Sequence, residues 1–332
     1  MLLPRPRGPV SRHVLAMLGR PDHGNAASAT VVLGPEPVTT DADVQLALWV
    51  LYELHYRSFE DCVGDHEWDP ELIRLRGAIE RRFEAELREA TRDLLAEVDQ
   101  EADVAEALLG LVSGDSGPSV ATFLHRHADR EQVLEYLRQR SLQQLKESDP
   151  QSFLLPRLEG AAKVALAEIQ YDELGAGRPE RLHQTLFART LEAAGLDPLY
   201  GSYLDEVSAI SLAGANAMSL FGLNRRLRAA GAGHFAAFEA TSSVPSRKVA
   251  AGLDRLGFDP DVATYFEEHV EADAVHEQVA ARDLCGSLVR EEPALRGDVL
   301  FGAACVLHLD ALFARELLDR WGADDEPRLV AS

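Results

Sequence analysis

Apolar residues recur at intervals of three and four along most of the chain, and no long run alternates apolar with polar at a period of two. That property restricts the fold to packed amphipathic helices. Over residues 41–59 the repeat passes through Val44, Leu48, Leu51 and Leu54. A second helix is predicted to start at Asp69-Pro70 and to run through Leu72, Leu75, Ile79, Phe83 and Leu87. Asp149-Pro150, Asp197-Pro198 and Asp259-Pro260 set the same punctuation, an N-cap candidate ahead of a proline whose missing N–H has no partner to lose in the first turn. Gly195 and Gly257 precede two of these starts, where a left-handed residue can close the previous helix. The best strand candidate, residues 29–33, has no obvious partner. The fold class is therefore all-α, a helical bundle.

Residues 1–40 mix Pro, Gly, Arg and Thr without sustained periodicity and are predicted to form a flexible tail or strap. Residues 41–102 read as an N-terminal helical extension packed on the core, and 103–332 as the bundle that carries the site. Inside the bundle, the one flexible-looking linker is the Ser-Gly-Asp-Ser-Gly-Pro stretch at 113–118. The fragment from Gly175 to Glu180 resembles half of a dinucleotide loop, but Glu180 stands where the third glycine belongs and no strand precedes it. It reads as an interhelical turn.

The net charge of −22, with 55 acidic against 33 basic residues and no basic run, excludes nucleic acid and anionic membrane surfaces as partners. No run of consecutive apolar residues is long enough to span a bilayer; the segment 44–54 is short and includes Glu53. The amino terminus spreads arginines and prolines where a signal peptide would have an apolar core, so a cytoplasmic protein is expected. Cys62, Cys285 and Cys305 are too few and too widely spaced for a disulfide framework or a thiolate zinc site. A metal here needs imidazole and carboxylate ligands.

The segment YFEEHVEADAVHEQVAA offers them. His269, Asp273 and His276 are spaced by four and three, so at about 100° per residue all three leave one helix face. Glu271 and Cys285 point away from it by the same arithmetic. In GRPERLHQTLF, Pro179 opens a predicted helix on which Glu180 and His183 are neighbours, a Glu-x-x-His pair of the kind found in carboxylate-bridged bundles. Glu239 sits in HFAAFEATSS among small and aromatic residues. A carboxylate buried there requires a cation, either a metal or an arginine. Oxygen and imidazole ligands without thiolate suit iron or manganese with open positions for dioxygen better than a closed zinc tetrahedron.

These three segments, together with the flanking stretches EIQYDELGAGRPERLHQTLF and FEATSSVPSRKVAAGLDRLGF, resemble the ligand pattern of the haem-oxygenase-like diiron oxidases and oxygenases, the iron-containing redox enzymes. The resemblance runs from about Gln144 to the end and extends more loosely to LYELHYRSF. It implies a haem-oxygenase-like helical bundle that binds no haem, here with additional N-terminal helices. It also implies two Fe(II) per chain and O2 as co-substrate. The expected substrate is a small organic acid, amine or amino acid, undergoing C–C cleavage, desaturation or N-oxygenation. Carried over onto this chain, the metal ligands are Glu180, His183, Glu239, His269, Asp273 and His276. Relatives that place a carboxylate further back point to Glu173, and those that add a ligand from the preceding helix point to Glu147. The first hundred residues either cap the site or form a homodimer interface.

Two other readings compete. A haem oxygenase would use a proximal histidine such as His55, and a thiaminase-like enzyme a nucleophilic cysteine beside a carboxylate. A non-catalytic helical interaction protein would leave the His269 stripe exposed and ion-paired.

Overall fold

The computed structural model describes residues 1–19 and 33–323, apart from the side chains of 271–274. Among the described residues it contains helices and turns and no strand. Of the strand candidate at 29–33, only Leu33 falls within the described residues.

The N-terminal third comprises α1 (Pro9–Leu18), α2 (Ala42–Glu53), α3 (Pro70–Ala90) and the short α4 (Arg92–Ala96). Asp41 caps α2 by accepting the N–H groups of Asp43 and Val44, and Asp69 caps α3 by accepting those of Glu71 and Leu72. The segment 1–19 departs from the expectation of a flexible tail. Val10, Val14 and Leu18 are buried against α2, and the Asp43 carboxylate accepts the backbone N–H groups of Val10 and Ser11 at 2.8 and 2.7 Å. Three apolar residues at helical spacing suffice to dock the helix, although the prolines around it mask the periodicity. Glu86 of α3 likewise clamps the strap by accepting the N–H groups of Val38 and Thr39.

The remaining helices are α5 (Val104–Ser113), α6 (Val120–Arg126), α7 (Arg130–Gln144), the single turn α8 (Asp149–Ser152), α9 (Gly160–Glu173), α10 (His183–Ala193), α11 (Ala209–Leu223), α12 (Arg228–Ala240), α13 (Ser243–Arg255), α14 (Thr264–Gln278), α15 (Gly286–Glu291) and α16 (Arg296–Arg320). A π-helical segment, Val279–Cys285, joins α14 to α15. Gly195 and Gly257 have φ of +80° and +65° and close α10 and α13 as expected. Asp197-Pro198 starts no helix. Asp197 Oδ1 accepts the Leu199 N–H in a turn, Gly201 then takes φ +86°, and the next helix waits for the Ser208 cap.

Three apolar clusters fill the interior. One ties α1–α3 to α11 and α16, the second joins α5, α9, α12, the π-helical segment and α16, and the third joins α6, α7, α10, α13 and the start of α14. The stretch Pro293–Arg320 is long and apolar enough to cross a membrane, but 67% of its most apolar window is buried inside the protein, where α16 is the central helix. It packs against α12 backbone to backbone. A Cβ added at Gly233 would stand 1.9 Å from the Val299 carbonyl oxygen, and one added at Gly302 the same distance from the Ala230 carbonyl oxygen. Only glycine permits that approach.

Candidate metal centre

Two buried groups of potential ligands lie in the interior among these helices. Glu147, His183 and His269 form one, and Glu173, Glu239 and His276 the other. Within each group the ligand atoms lie within 4.8 Å of one another. Glu173 reaches both: its Oε2 is 3.1 Å from His183 Nδ1, and its Oε1 is 3.8 Å from His276 Nδ1. His276 Nδ1 is 3.4 Å from Glu239 Oε2, and His269 Nε2 is 3.5 Å from Glu147 Oε1.

The chain brings these side chains together from helix ends and turns. Glu147 follows α7 in the turn to α8, where Ser148 adopts φ +70°, a left-handed conformation that non-glycine residues rarely take. The Ser148 hydroxyl donates to Glu173 Oε2 at 3.0 Å, so the strained residue bridges two carboxylate segments. Glu173 is the last residue of α9, and His183 is the first of α10. Between them Gly175, Ala176 and Gly177 all have positive φ and reverse the chain. Glu239 comes from the last turn of α12, while His269 and His276, seven residues apart on α14, face the same way as their spacing requires.

Supporting contacts orient the rings. His269 Nδ1 donates to the Tyr265 carbonyl at 2.7 Å, which aims Nε2 at Glu147. The Tyr265 hydroxyl in turn donates to Glu147, 2.9 Å from Oε2. His276 Nε2 lies 3.3 Å from Asp172 Oδ2, leaving Nδ1 to the carboxylates. These are the outer partners that fix tautomer and ring plane around metal-binding imidazoles.

Burial opposes charge here, and the neighbours decide the outcome. Burial pushes Glu239 up, to about 7, and the Glu173 charge adds to this against His276. Burial would lower His276, but Glu239 and then Asp172 and Glu173 outweigh it and raise it to about 9. Burial also acts to raise Glu173, yet His183 and the other two imidazoles hold it well below the usual carboxylate range. His183 Nδ1 is buried and, among the described residues, makes no hydrogen bond despite its nearness to Glu173. Three imidazoles and three carboxylates gathered in the interior fit a cation better than a proton network. Oxygen and nitrogen donors without thiolate fit iron.

The expected residues fall into three sets. His183, Glu239, His269 and His276 come together, as do Glu173 and Glu147. Glu180 does not join them: Pro179–Arg181 is a 3-10 turn, Leu182 is extended, and the helix begins only at His183, which leaves Glu180 exposed. The Glu-x-x-His pair therefore never shares a helix face. The Asp273 side chain lies outside the described residues. Tyr265, Ser148 and Asp172 were not singled out from the sequence. Of these only Tyr265, four residues before His269, carried a signal in its spacing.

The competing chemistries find no support in the side chains proposed for them. His55 Nδ1 is 3.3 Å from Glu67 and its Nε2 meets Arg76, so it faces charged groups and not an apolar haem cavity. Burial pushes the Cys62, Cys285 and Cys305 thiols up, which holds all three as neutral thiols.

A cavity of about 80 Å³ reaches His269 and Tyr265 from the side of α7 and α16. Ser119, Thr241 and Pro245 form its common wall with a larger surface groove lined by α5 and α13.

Two crystal structures of a CADD-like protein of unknown function from Nostoc punctiforme PCC 73102 are similar to this chain at 16% identity. Their TM-scores are 0.47 and 0.46; each alignment covers 71% of this chain, and 98% and 96% of the other. No curated protein matches the sequence. The sequence profile of the iron-containing redox enzymes matches residues 134–311, which holds all six residues of the two buried groups. The chain belongs to the iron-containing redox enzyme family.

Proposed function

We propose that this protein is a non-haem diiron oxidase or oxygenase that uses O2 to act on a small organic substrate. The observation that carries the reading is the adjacency of the two buried Glu/His groups, with Glu173 within reach of both. Glu147, His183 and His269 would hold one ion, and Glu239 and His276 the other, with Glu173 between them. Bound Fe(II) would supply the electrons and the open coordination positions for dioxygen.

The chain's own residues do the rest. Tyr265 holds the Glu147 carboxylate and, through its carbonyl, the tautomer of His269. Ser148 fixes Glu173, and Asp172 accepts the hydrogen bond of His276 Nε2–H. The apolar packing around α12 and α14 excludes water from the carboxylates, which strengthens their attraction for a cation. The acidic surface and the absence of any basic run support a small-molecule partner and not a polyanion.

The test is anaerobic loading with Fe(II), followed by metal analysis and oxygen consumption. About two iron per chain and O2 uptake on mixing are expected, with a higher melting temperature than the metal-free protein because the ion binds only the folded state. Absence of iron uptake, or iron that leaves O2 untouched, would overturn the reading.

A further inference from the structure

The cavity beside His269 has a second polar end that the metal groups do not use. Arg140 and Gln144 stand one turn apart on α7 and both line it, with Asp310 of α16 alongside and Phe238, Phe266 and Phe313 as apolar wall. One guanidinium nitrogen of Arg140 donates to Asp310 Oδ1 at 2.9 Å, and the plane lies over the Phe313 ring. Its Nε is nevertheless buried with no hydrogen-bond partner among the described residues. Gln144 is 9% exposed, and its side-chain carbonyl oxygen is likewise buried without a partner among the described residues.

A buried donor or acceptor left unsatisfied loses its hydrogen bonds to water and gains none in return, which is costly. One of each, on neighbouring residues of one cavity that ends at His269, is the complement of a ligand with an acceptor and a donor of its own. Arg140 and Asp310 already neutralise each other, so the ligand brings no net charge that lacks a counter-charge. The space admits only a compact molecule or the compact head of one.

The geometry points to Arg140 and Gln144 as specificity-determining residues that seat a compact, net-neutral substrate. Its acceptor oxygen lies against Arg140 Nε, its N–H or O–H against Gln144 Oε1, and its remainder toward His269. This rests on the reading of the Glu/His groups as the metal centre.

The experiment uses iron-loaded protein under argon and measures calorimetric binding of glycine, acetamide, acetate and methylammonium. Glycine or acetamide is expected to bind at least about tenfold more tightly than acetate or methylammonium, the two arms separating a zwitterion from an uncharged amide. Arg140→Lys keeps a cation for Asp310 but lacks Nε, and Gln144→Met keeps the volume without the acceptor. Each should weaken the better probe about tenfold while iron content and melting temperature stay at the wild-type level. Undiminished binding in both variants, preference for acetate or methylammonium, or no saturable binding by any probe would overturn the assignment. Iron content on the same samples separates the two readings: protein that takes up no iron yet binds glycine through Arg140 overturns the metal centre and keeps the pocket, and iron-loaded protein indifferent to Arg140→Lys does the reverse.

Discussion

Glu173 and His183 approach to 3.1 Å across a reversal of the chain in which Gly175, Ala176 and Gly177 all take positive φ. The approach depends on Gly175. A Cβ there would stand 2.3 Å from the Arg178 carbonyl oxygen and 2.7 Å from the Leu182 nitrogen. Gly175→Ala should therefore open the turn, destabilise the protein by about 1–3 kcal/mol and weaken iron binding about tenfold or more. Melting temperature and an Fe(II) titration read both effects, and unchanged iron affinity would show that the turn does not position the pair.

Glu239 has His276 as its ion-pair partner among the described residues, so the arginine that the sequence left open is not what accompanies it. Glu239→Gln leaves no buried guanidinium behind, and His276, unlike an arginine, can release its proton once the carboxylate that held it is gone. Because burial already raises this carboxyl to about 7, the metal-free variant should be as stable as the wild type. Its iron affinity should fall roughly 10- to 100-fold. A destabilised apo variant with normal iron content would contradict this.

Lys146, next to Glu147, is buried with its ammonium 3.1 Å from Glu53 Oε2, which also accepts from the Tyr200 hydroxyl at 2.8 Å. Glu53→Ala strands a buried cation and should lower stability by about 3–5 kcal/mol, whereas Tyr200→Phe removes one hydrogen bond and should cost about 1 kcal/mol. Chemical denaturation distinguishes them. Pairing Glu53→Leu with Lys146→Met should recover most of the loss, and failure to do so would place the effect in packing.

Burial lowers His234, beside the Phe221 ring, to about 4. The unfolded chain therefore takes up a proton at this position below about pH 6.5 that the folded protein refuses until about pH 4. Stability from this group is complete above pH 6.5 and declines as the pH falls through that window, by about 3 kcal/mol in all. Denaturation curves of wild type and His234→Gln should converge toward pH 4. Parallel curves across that range would mean that His234 is charged in the fold.

Helical arithmetic holds as far as one helix extends. It identified His269 and His276 because α14 runs unbroken between them, and the repeats of α2 and α3 for the same reason. It misplaced Glu180, since the three residues to His183 cross an extended Leu182. Glu173 and Glu147 could be named only as alternatives by the resemblance: one pairs with its partner through a turn of left-handed residues, and the other projects from beside a strained Ser148. Docking of α1 was hidden because prolines mask the spacing of Val10, Val14 and Leu18, and because the carboxylate that accepts its first N–H groups, Asp43, lies 33 and 32 residues away in the chain. Local pattern reports what a segment can bury, and long-range contact decides where it is buried.

The approaches of Gly233 to Val299 and of Gly302 to Ala230 have no rotamers. Where side chains separate two helices, a mutation can be absorbed by repacking, and the distance drifts. Here main chain meets main chain, so the spacing of α12 from the central helix is set by the thickness of the backbone itself. Glu239 lies six residues beyond Gly233 on that helix, and its depth in the interior is gauged from a fixed datum and not from an adjustable filling.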